Sequence, residues 1–264
     1  MKPSLGLKTV HPAEAHNDVQ ISVIIPTCDR PSELLQEAVQ SALRQTLRPI
    51  EIIVIDNGQK PQASGSLPES VKYHKTDTRI GPSRARNIGA SMAKGTHLAF
   101  LDDDDWWSED FLFHMAEASK SQAVRCVYGT IMRWKYGQAH EQENLTAETA
   151  TIDVLVLRNP GAGGINVLIE KELFLEIGGF DEELPVSEDR ALAIEVLRKG
   201  EKIGIAHEAI AFARQHDEGR QSKGNVNKHI FVWKYRGLMP RKHFIQQFYK
   251  YGVRPYFKFP RRKR

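Results

Sequence analysis

The residues best suited to chemistry are four consecutive aspartates, Asp102–Asp105, which directly follow the apolar run His97–Leu101. An apolar run that ends in carboxylates predicts a buried strand whose carboxyl end delivers acidic side chains into a cleft, where open α/β sheets bind ligands. Adjacent carboxylates repel one another, so a pocket that holds several of them needs a cation, and oxygen ligands suit Mg2+ or Mn2+. For such a run taken alone, a solvated acidic turn is the alternative.

A second acidic pair, Glu188 and Asp189, opens a predicted helix later in the chain. Capping alone explains carboxylates in a first helical turn. The pair is nevertheless the natural second carboxylate site for acid–base chemistry. His216 follows a predicted late strand in the same half of the chain, which makes it a candidate metal or phosphate contact, with a surface or capping histidine as the alternative.

Polar side chains also follow the first two predicted strands, Ile21–Pro26 and Ile50–Ile55. Both strands are rich in β-branched residues and flank a helical pattern, which predicts a parallel βαβ unit. Asp29 and Arg30 follow the first strand and Asp56 follows the second. Carboxylates there can accept hydrogen bonds from a base or a ribose, although a turn or a helix cap explains any single aspartate.

Arg84 and Arg86 lie near the start of a helix predicted to open at Gly81-Pro82. Together with backbone N–H groups they could contact a diphosphate bidentately. A pair of surface arginines is the alternative. The chain contains neither the glycine pattern of dinucleotide-binding folds nor that of a P-loop, so neither site is supported.

Composition indicates one compact body with an appendage in these 264 residues. Apolar runs are too short to span a bilayer, and Met1–Gln20 is too polar for a signal peptide. Two cysteines, Cys28 and Cys126, exclude a disulfide framework and a cysteine-rich zinc site. We therefore expect a cytoplasmic protein.

Charge is distributed unevenly along the chain. Residues 219–264 carry 14 Lys and Arg and no Asp or Glu, whereas residues 1–218 carry a formal net charge of −10. The patterns predict two short basic amphipathic helices in the tail. Packing on the body is the commoner explanation for the tail aromatics, while the basic cluster fits an anionic membrane surface, nucleic acid or an acidic partner.

Other patterns fix further expectations. Ser108 is predicted to cap a helix, residues 136–150 to be irregular, and Ile203–Ile205 and Ala209–Ala213 to be separate late strands. The glycine-rich segment 160–164 is typical of backbone that approaches a ligand closely.

Six segments, in this order, resemble the family 2 glycosyltransferases of the GT-A fold, and they cover roughly residues 20–220. The matching segments are Val23–Thr27 with Asp29-Arg30, Ile53–Asn57, Gly81–Asn87, Phe100–Trp106, Gly178–Asp181 and Glu188-Asp189. The resemblance implies an α/β fold with a mixed, mostly parallel, Rossmann-like central sheet flanked by helices, followed by a C-terminal basic helical extension.

By position, the resemblance implies a role for each matching residue. The loop with Thr27, Asp29 and Arg30, together with Asp56, resembles the pocket for base and ribose. In the acidic run, Asp104 resembles the direct ligand of Mn2+ or Mg2+, and Asp102 or Asp103 reaches ribose or metal-bound water, although four consecutive aspartates leave the register open. Two further positions match, with Asp189 resembling the catalytic base, oriented by Glu188, and His216 resembling a late histidine that touches metal or diphosphate.

The resemblance also implies function and partners. It implies inverting, metal-dependent transfer of a sugar from a nucleotide-diphosphate sugar, a UDP-sugar above all, to the hydroxyl of a saccharide or lipid-linked acceptor, in bacterial polysaccharide or glycoconjugate biosynthesis. We expect a lead-in (1–19), a nucleotide-sugar-binding half (20–105), an acceptor-binding half (106–218) and the basic tail (219–264), which could hold the protein on the inner face of the membrane. No nucleic-acid partner is expected.

Two other classes remain open at this point. The run Leu101–Asp104 superficially resembles a haloacid-dehalogenase-type phosphatase, but Trp106 stands where that motif has Thr or Val, and the motif lies near the N-terminus in those enzymes. A non-catalytic carbohydrate-binding protein is disfavoured because both the metal and the base positions keep carboxylates.

Overall fold

A computed structural model describes residues 19–60, 67–215 and 227–253. These residues contain nine strands, namely β1 (Ile21–Thr27), β2 (Glu51–Asp56), β3 (Val71–Lys75), β4 (His97–Phe100), β5 (Trp106–Trp107), β6 (Cys126–Lys135), β7 (Gln138–His140), β8 (Val167–Glu170) and β9 (Ile203–Arg214). The strands form one sheet in the order β3-β2-β1-β4-β8-β6-β9-β5, with β7 paired to β6.

Eight α-helices accompany the sheet in the described part of the chain. They are α1 (Ser32–Leu43), α2 (Pro82–Met92), α3 (Phe111–Ser121), α4 (Ile152–Leu155), α5 (Lys171–Glu176), α6 (Glu188–Arg198), α7 (Lys228–Lys234) and α8 (Arg241–Phe248). The α/β architecture predicted from the alternating strand and helix patterns is confirmed.

The first half of the sheet is parallel. β1 lies between β2 and β4, and β3 lies outside β2. Every residue of β1 and of β2 is buried, as predicted for central strands covered on both faces. The carboxyl ends of β1, β2 and β4 therefore meet at one edge, which brings the loops after Thr27, Asp56 and Phe100 together.

The second half of the sheet is mixed. β8 runs antiparallel between β4 and β6, whereas β9 runs parallel to β6 and carries the short β5 antiparallel on its other side. Because Trp106-Trp107 of β5 pair with Phe212 and Ala211, the end of the acidic run is fixed against the end of β9.

Three local predictions were wrong. Ser108 does not cap α3, which begins at Phe111. The side-chain oxygen of Gln45 accepts the Leu112 N–H at 2.9 Å instead, while the Ser108 N–H donates to the Ile210 carbonyl and extends the β5 pairing. The two predicted late strands are one strand, β9, with an irregularity in its pairing to β6 opposite Gly129. Residues 136–150 are not wholly irregular, since they contain β7.

Two apolar clusters cover the two faces of the sheet. Ile24 and Ile53 belong to one cluster and Val23 and Ile52 to the other, as the alternation of side chains along a strand requires. α7 joins the first cluster through residues that include the fully buried Phe231, which confirms that tail aromatics pack on the body. Within the described ranges, no helix is both long and apolar enough to cross a membrane.

Candidate active site

A cavity of about 1150 Å3 opens at the edge where the parallel strands end. Its walls bring together most of the residues that the sequence singled out, although they lie far apart in the chain. The predicted residues that line it are Thr27, Asp29, Arg30, Arg86, Asp102, Asp103, Asp104, Glu188 and Asp189. The site is therefore formed at the edge of the sheet by residues from several separate motifs.

The four aspartates form a tight turn and point in different directions. The Asp105 N–H donates to the Asp102 carbonyl at 3.2 Å, which closes the turn. The buried Asp105 carboxylate accepts the Arg214 backbone N–H at 2.7 Å and so fastens the turn to the end of β9. Asp102 and Asp104 remain the most accessible, with side chains 37% and 15% exposed. These two carboxylates are therefore the ones that a bound ligand can reach.

Asp103 is the buried member that ties the turn to the first strand. Its carboxylate accepts the Thr27 hydroxyl at 2.7 Å and the Arg30 Nε–H at 3.0 Å. Arg30 also reaches Asp104, with Nη2 at 3.2 Å from Oδ2. The net pKa of Asp103 is nevertheless raised to about 6. Burial and the charges of the neighbouring aspartates raise it, whereas Arg30 lowers it. The positive charge of Arg30 alone does not balance the run.

Arg86 connects the two acidic sites. It lies on α2 with its side chain only 5% exposed, and its guanidinium contacts Asp102 at 2.5 Å and Glu188 at 3.4 Å. These carboxylates raise the pKa of Arg86 although burial opposes them. A Cβ atom on Gly164 would lie 3.2 Å from the guanidinium carbon, so the glycine-rich segment packs directly against this cation. Contact with a diphosphate remains a prediction for Arg86.

Glu188 and Asp189 begin α6, after Ser187 in a left-handed conformation with φ of 69°. The net pKa of Asp189 is raised to about 7. Burial and the adjacent Glu188 charge raise it, whereas Arg86 and Arg190 lower it. A carboxyl group with a pKa near neutral pH is suited to accept a proton in a reaction that runs at that pH. The geometry is therefore compatible with the role predicted for Asp189.

The carboxylates after β1 and β2 shape the loops beside the cavity. Asp29 adopts a positive φ of 50° and accepts the Gln59 N–H at 2.7 Å. Asp56 is fully buried behind the wall, where its carboxylate accepts the Gly58 N–H at 2.7 Å and the Tyr73 hydroxyl. Asn57 lines the cavity in its place.

Besides Asp56, Arg84 does not join this group, and one further predicted residue cannot be placed. Arg84 is not among the residues that line the cavity, and its side chain is 56% exposed with Nε 4.0 Å from Glu182. His216 lies outside the described residues. Among the residues that are described, no three His, Cys, Asp or Glu side chains are grouped so that they could hold a metal ion.

Part of the cavity lining was not predicted residue by residue. It contains Arg190 of α6, residues 157–159 and several tail residues, namely Lys228, Phe231, Val232, Gln247 and Tyr251. The signal that could have indicated the tail is its pairing of aromatic and basic residues, but packing explains such a stripe equally well. For Arg190, its position directly after Asp189 was the available signal.

Comparisons with known proteins place these features in a family. The sequence model of glycosyl transferase family 2 matches residues 22–178, more than half of the chain. A Rickettsia typhi protein described as an uncharacterized glycosyltransferase is 28% identical over 75% of this chain and 64% of its own. The uncharacterized glycosyltransferase EpsJ of Bacillus subtilis is 26% identical over 74% of this chain and 61% of its own. The chain thus spans a little under two thirds of the length of these relatives.

Solved structures share the fold. Residues 1–349 of S. aureus TarS in complex with UDP-GlcNAc align with a TM-score of 0.66 and 18% identity, covering 88% of this chain and 73% of that one. The same protein in complex with UDP aligns with a TM-score of 0.62 and 20% identity, covering 92% and 73%. At this identity the likeness shows the fold alone, and it confirms the predicted GT-A-like sheet.

Proposed function

Because the chain belongs to glycosyl transferase family 2, we propose that it transfers a sugar from a UDP-sugar to an acceptor hydroxyl, with inversion and with the help of Mn2+ or Mg2+. The observation that carries the proposal is the convergence of Asp102, Asp104 and Asp189 on one cavity, in which Arg86 contacts both Asp102 and Glu188, the neighbour of Asp189. UDP in the TarS complexes supports uracil as the base of the donor nucleotide. Bacterial relatives support a role in polysaccharide or glycoconjugate synthesis.

The donor set fits a divalent cation. Asp102 and Asp104 present oxygen ligands to the cavity, and after burial their charges contribute to the raised pKa of Asp103 between them. Mg2+ in particular is commonly held by one or two carboxylates together with substrate phosphates, so a dedicated cage of three protein ligands is not required. The metal role predicted for Asp104 is part of this proposal, as is that of His216.

Each part of the cavity has a task in this reaction. When bound, the cation would supply positive charge that stabilises the departing diphosphate. Asp189 accepts the proton of the acceptor hydroxyl, and Glu188, held by Arg86, keeps the start of α6 in position. Attack from the face opposite the leaving group inverts the anomeric carbon in one step. Thr27, Asp29 and Arg30 would contact base and ribose, with Asp56 supporting the loop from behind.

The tail suggests where the acceptor lies. Three large apolar side chains on and beside α7 and α8 are exposed, Trp233 by 53%, Ile245 by 65% and Tyr249 by 55%. Exposed lysines and arginines surround them, and no acidic residue occurs after Glu218. Apolar side chains rimmed by cations are typical of helices that lie in an anionic membrane surface. We therefore include peripheral membrane binding and a saccharide or lipid-linked acceptor in the proposal.

A ligand screen tests the donor. Thermal unfolding is measured with UDP, UDP-sugars, GDP-sugars and CMP-sugars, each with Mn2+ and with EDTA. A ligand that binds only the folded protein raises the melting temperature, by an amount that grows with its concentration over Kd. We expect a UDP-sugar shift that requires the metal. If none of the nucleotides raises the melting temperature, the proposal loses its basis.

Two variants separate the metal from the base. Asp104→Asn should abolish the metal-dependent part of the UDP shift, whereas Asp189→Asn should keep that shift and lose sugar transfer. With Asp189 as base, the rate should rise with pH through about 7, because only the deprotonated carboxylate accepts a proton. Asp110→Asn, at an exposed position outside the cavity, is the matched control. Transfer by Asp189→Asn at the rate of this control would exclude Asp189 as the base.

A further inference from the structure

Arg190 is a cavity-lining cation with an unusual environment. Its guanidinium carbon lies 3.6 Å from the centre of the Phe231 ring, so the side chain is stacked on α7. Its Nε atom is buried and has no hydrogen-bond partner in the described part of the chain. Arg86 also has a buried Nε atom without a hydrogen-bond partner in these residues, but its terminal nitrogens contact Asp102 and Glu188.

Electrostatics distinguish the two arginines in the same way. Burial lowers the pKa of Arg190 to about 10, and the charge of Asp189 only partly offsets this, whereas carboxylates raise the pKa of Arg86. Arg190 remains protonated near neutral pH at this value. Arg190 is partly buried and forms no ion pair with a described residue, and withdrawing such a guanidinium from water is costly unless a ligand supplies the opposite charge.

The position of Arg190 places it away from the acidic run. The groups whose charges act on it are Asp189, Tyr235 and Tyr251, whereas Asp102 acts on Arg86. Arg190 therefore lies on the side of Asp189 that faces α7, where Lys228 also lines the cavity. Lys228 lies 5.6 Å from the Tyr251 ring and forms no ion pair within the described ranges.

We propose that Arg190 and Lys228 form a subsite for an anionic group, a phosphate or a carboxylate, carried by the acceptor. A planar guanidinium binds both groups through two parallel hydrogen bonds, and stacking on Phe231 holds it ready to do so. The subsite would place an acceptor hydroxyl next to Asp189 by fixing the charged group beside it. This inference rests on the proposed function and specifies the substrate class of the same site.

The test uses inorganic phosphate as the probe, with the full chain saturated in UDP and Mg2+ so that the donor side is filled. Phosphate affinity is measured by calorimetry for the native protein, Arg190→Gln, Arg190→Lys and Lys228→Gln. Arg198→Gln is the matched control, because Arg198 lies in the last turn of the same helix, pairs with Glu195 and does not line the cavity. Glycerol 1-phosphate is titrated as a second probe, and glycerol is its uncharged control.

We expect Arg190→Gln to weaken phosphate and glycerol 1-phosphate binding by about tenfold to a hundredfold, as for a lost hydrogen bond to a charged group. Arg190→Lys should recover part of the loss, Lys228→Gln should weaken binding less, and glycerol should not bind. Arg198→Gln should match the native protein.

Two results would overturn the subsite. A lower melting temperature of Arg190→Gln with unchanged phosphate affinity would assign Arg190 to fastening α7. Weaker UDP binding by Arg190→Gln with unchanged phosphate affinity would place the residue on the donor side. Failure of the native protein to bind UDP would refute the proposed function instead, and the phosphate titrations without nucleotide would then decide on the subsite.

Discussion

Replacing Arg86 by glutamine tests the connection between the two acidic sites most directly. The substitution removes a guanidinium that is 5% exposed and leaves Asp102 and Glu188 without their shared cation. Breaking a buried ion pair by removing one partner costs about 3–5 kcal/mol. The Asp102 side chain is 37% exposed and its charge is screened by solvent, so we expect the low end of this range, about 3 kcal/mol.

Urea unfolding at pH 7 measures this cost, and Arg84→Gln is the matched control. Arg84 lies two residues earlier on the same helix, its side chain is 56% exposed and its nearest carboxylate is 4.0 Å away. Losing that surface contact should cost at most about 0.5 kcal/mol. If Arg86→Gln is no less stable than Arg84→Gln, the reasoning that Arg86 compensates the charges of Asp102 and Glu188 is refuted.

The same variant changes the proton affinity of the proposed base. The positive charge of Arg86 lowers the pKa of Asp189, which lies at about 7 with Arg86 in place. Removing that charge should raise the pKa, so the rise in transfer rate with pH should move to higher pH in Arg86→Gln. A pH profile that coincides with that of Arg84→Gln would show that Arg86 does not act on the base.

Three further predictions concern other parts of the molecule. Because the pKa of Asp103 is raised from 3.8 to about 6, the native protein should lose stability relative to Asp103→Asn as the pH rises from about 4 to about 6, which urea titrations across this range measure; a constant difference would contradict it. Ile245→Glu should reduce flotation with vesicles containing anionic phosphatidylglycerol, whereas Leu175→Glu, at another exposed apolar site, should not; equal flotation of the two variants would exclude α8 as the contact. Gly89→Ala should destabilise the fold by about 1–3 kcal/mol, because the added Cβ would lie 2.5 Å from Ile24 Cγ2; an unchanged urea midpoint would show that α2 can shift.

The sequence predicted the elements whose patterns are set locally. β1 and β2 are buried along their whole length and appear where β-branched runs end in polar residues. The start of α3 could not be predicted, because the first-turn N–H of Leu112 is accepted by the side chain of Gln45, which is distant in sequence. The single strand β9 was divided in two for a related reason, since His207 and Glu208 interrupt the apolar pattern at the irregularity opposite Gly129.

The site was predictable as a set of residues but not as a set of contacts. The family resemblance placed Asp102–Asp105 and Asp189 in one site, and the cavity contains them. They could not show that Asp105 would turn away to hold the backbone of Arg214, because that depends on how β5 pairs with β9. The stacking of Arg190 on Phe231 was equally hidden, since it depends on how α7 packs against α6.

The lining of the cavity is drawn from distant parts of the chain, and this has an evolutionary consequence. The acidic run follows β4, whereas α6, residues 157–159 and α7 supply other lining residues. Contacts of Arg86 with Asp102 and Glu188, and of Arg214 with Asp105, join the two parts. Recombination of related chains at the junction before Trp106 would therefore have to preserve both sets of contacts for the chimera to keep an intact cavity.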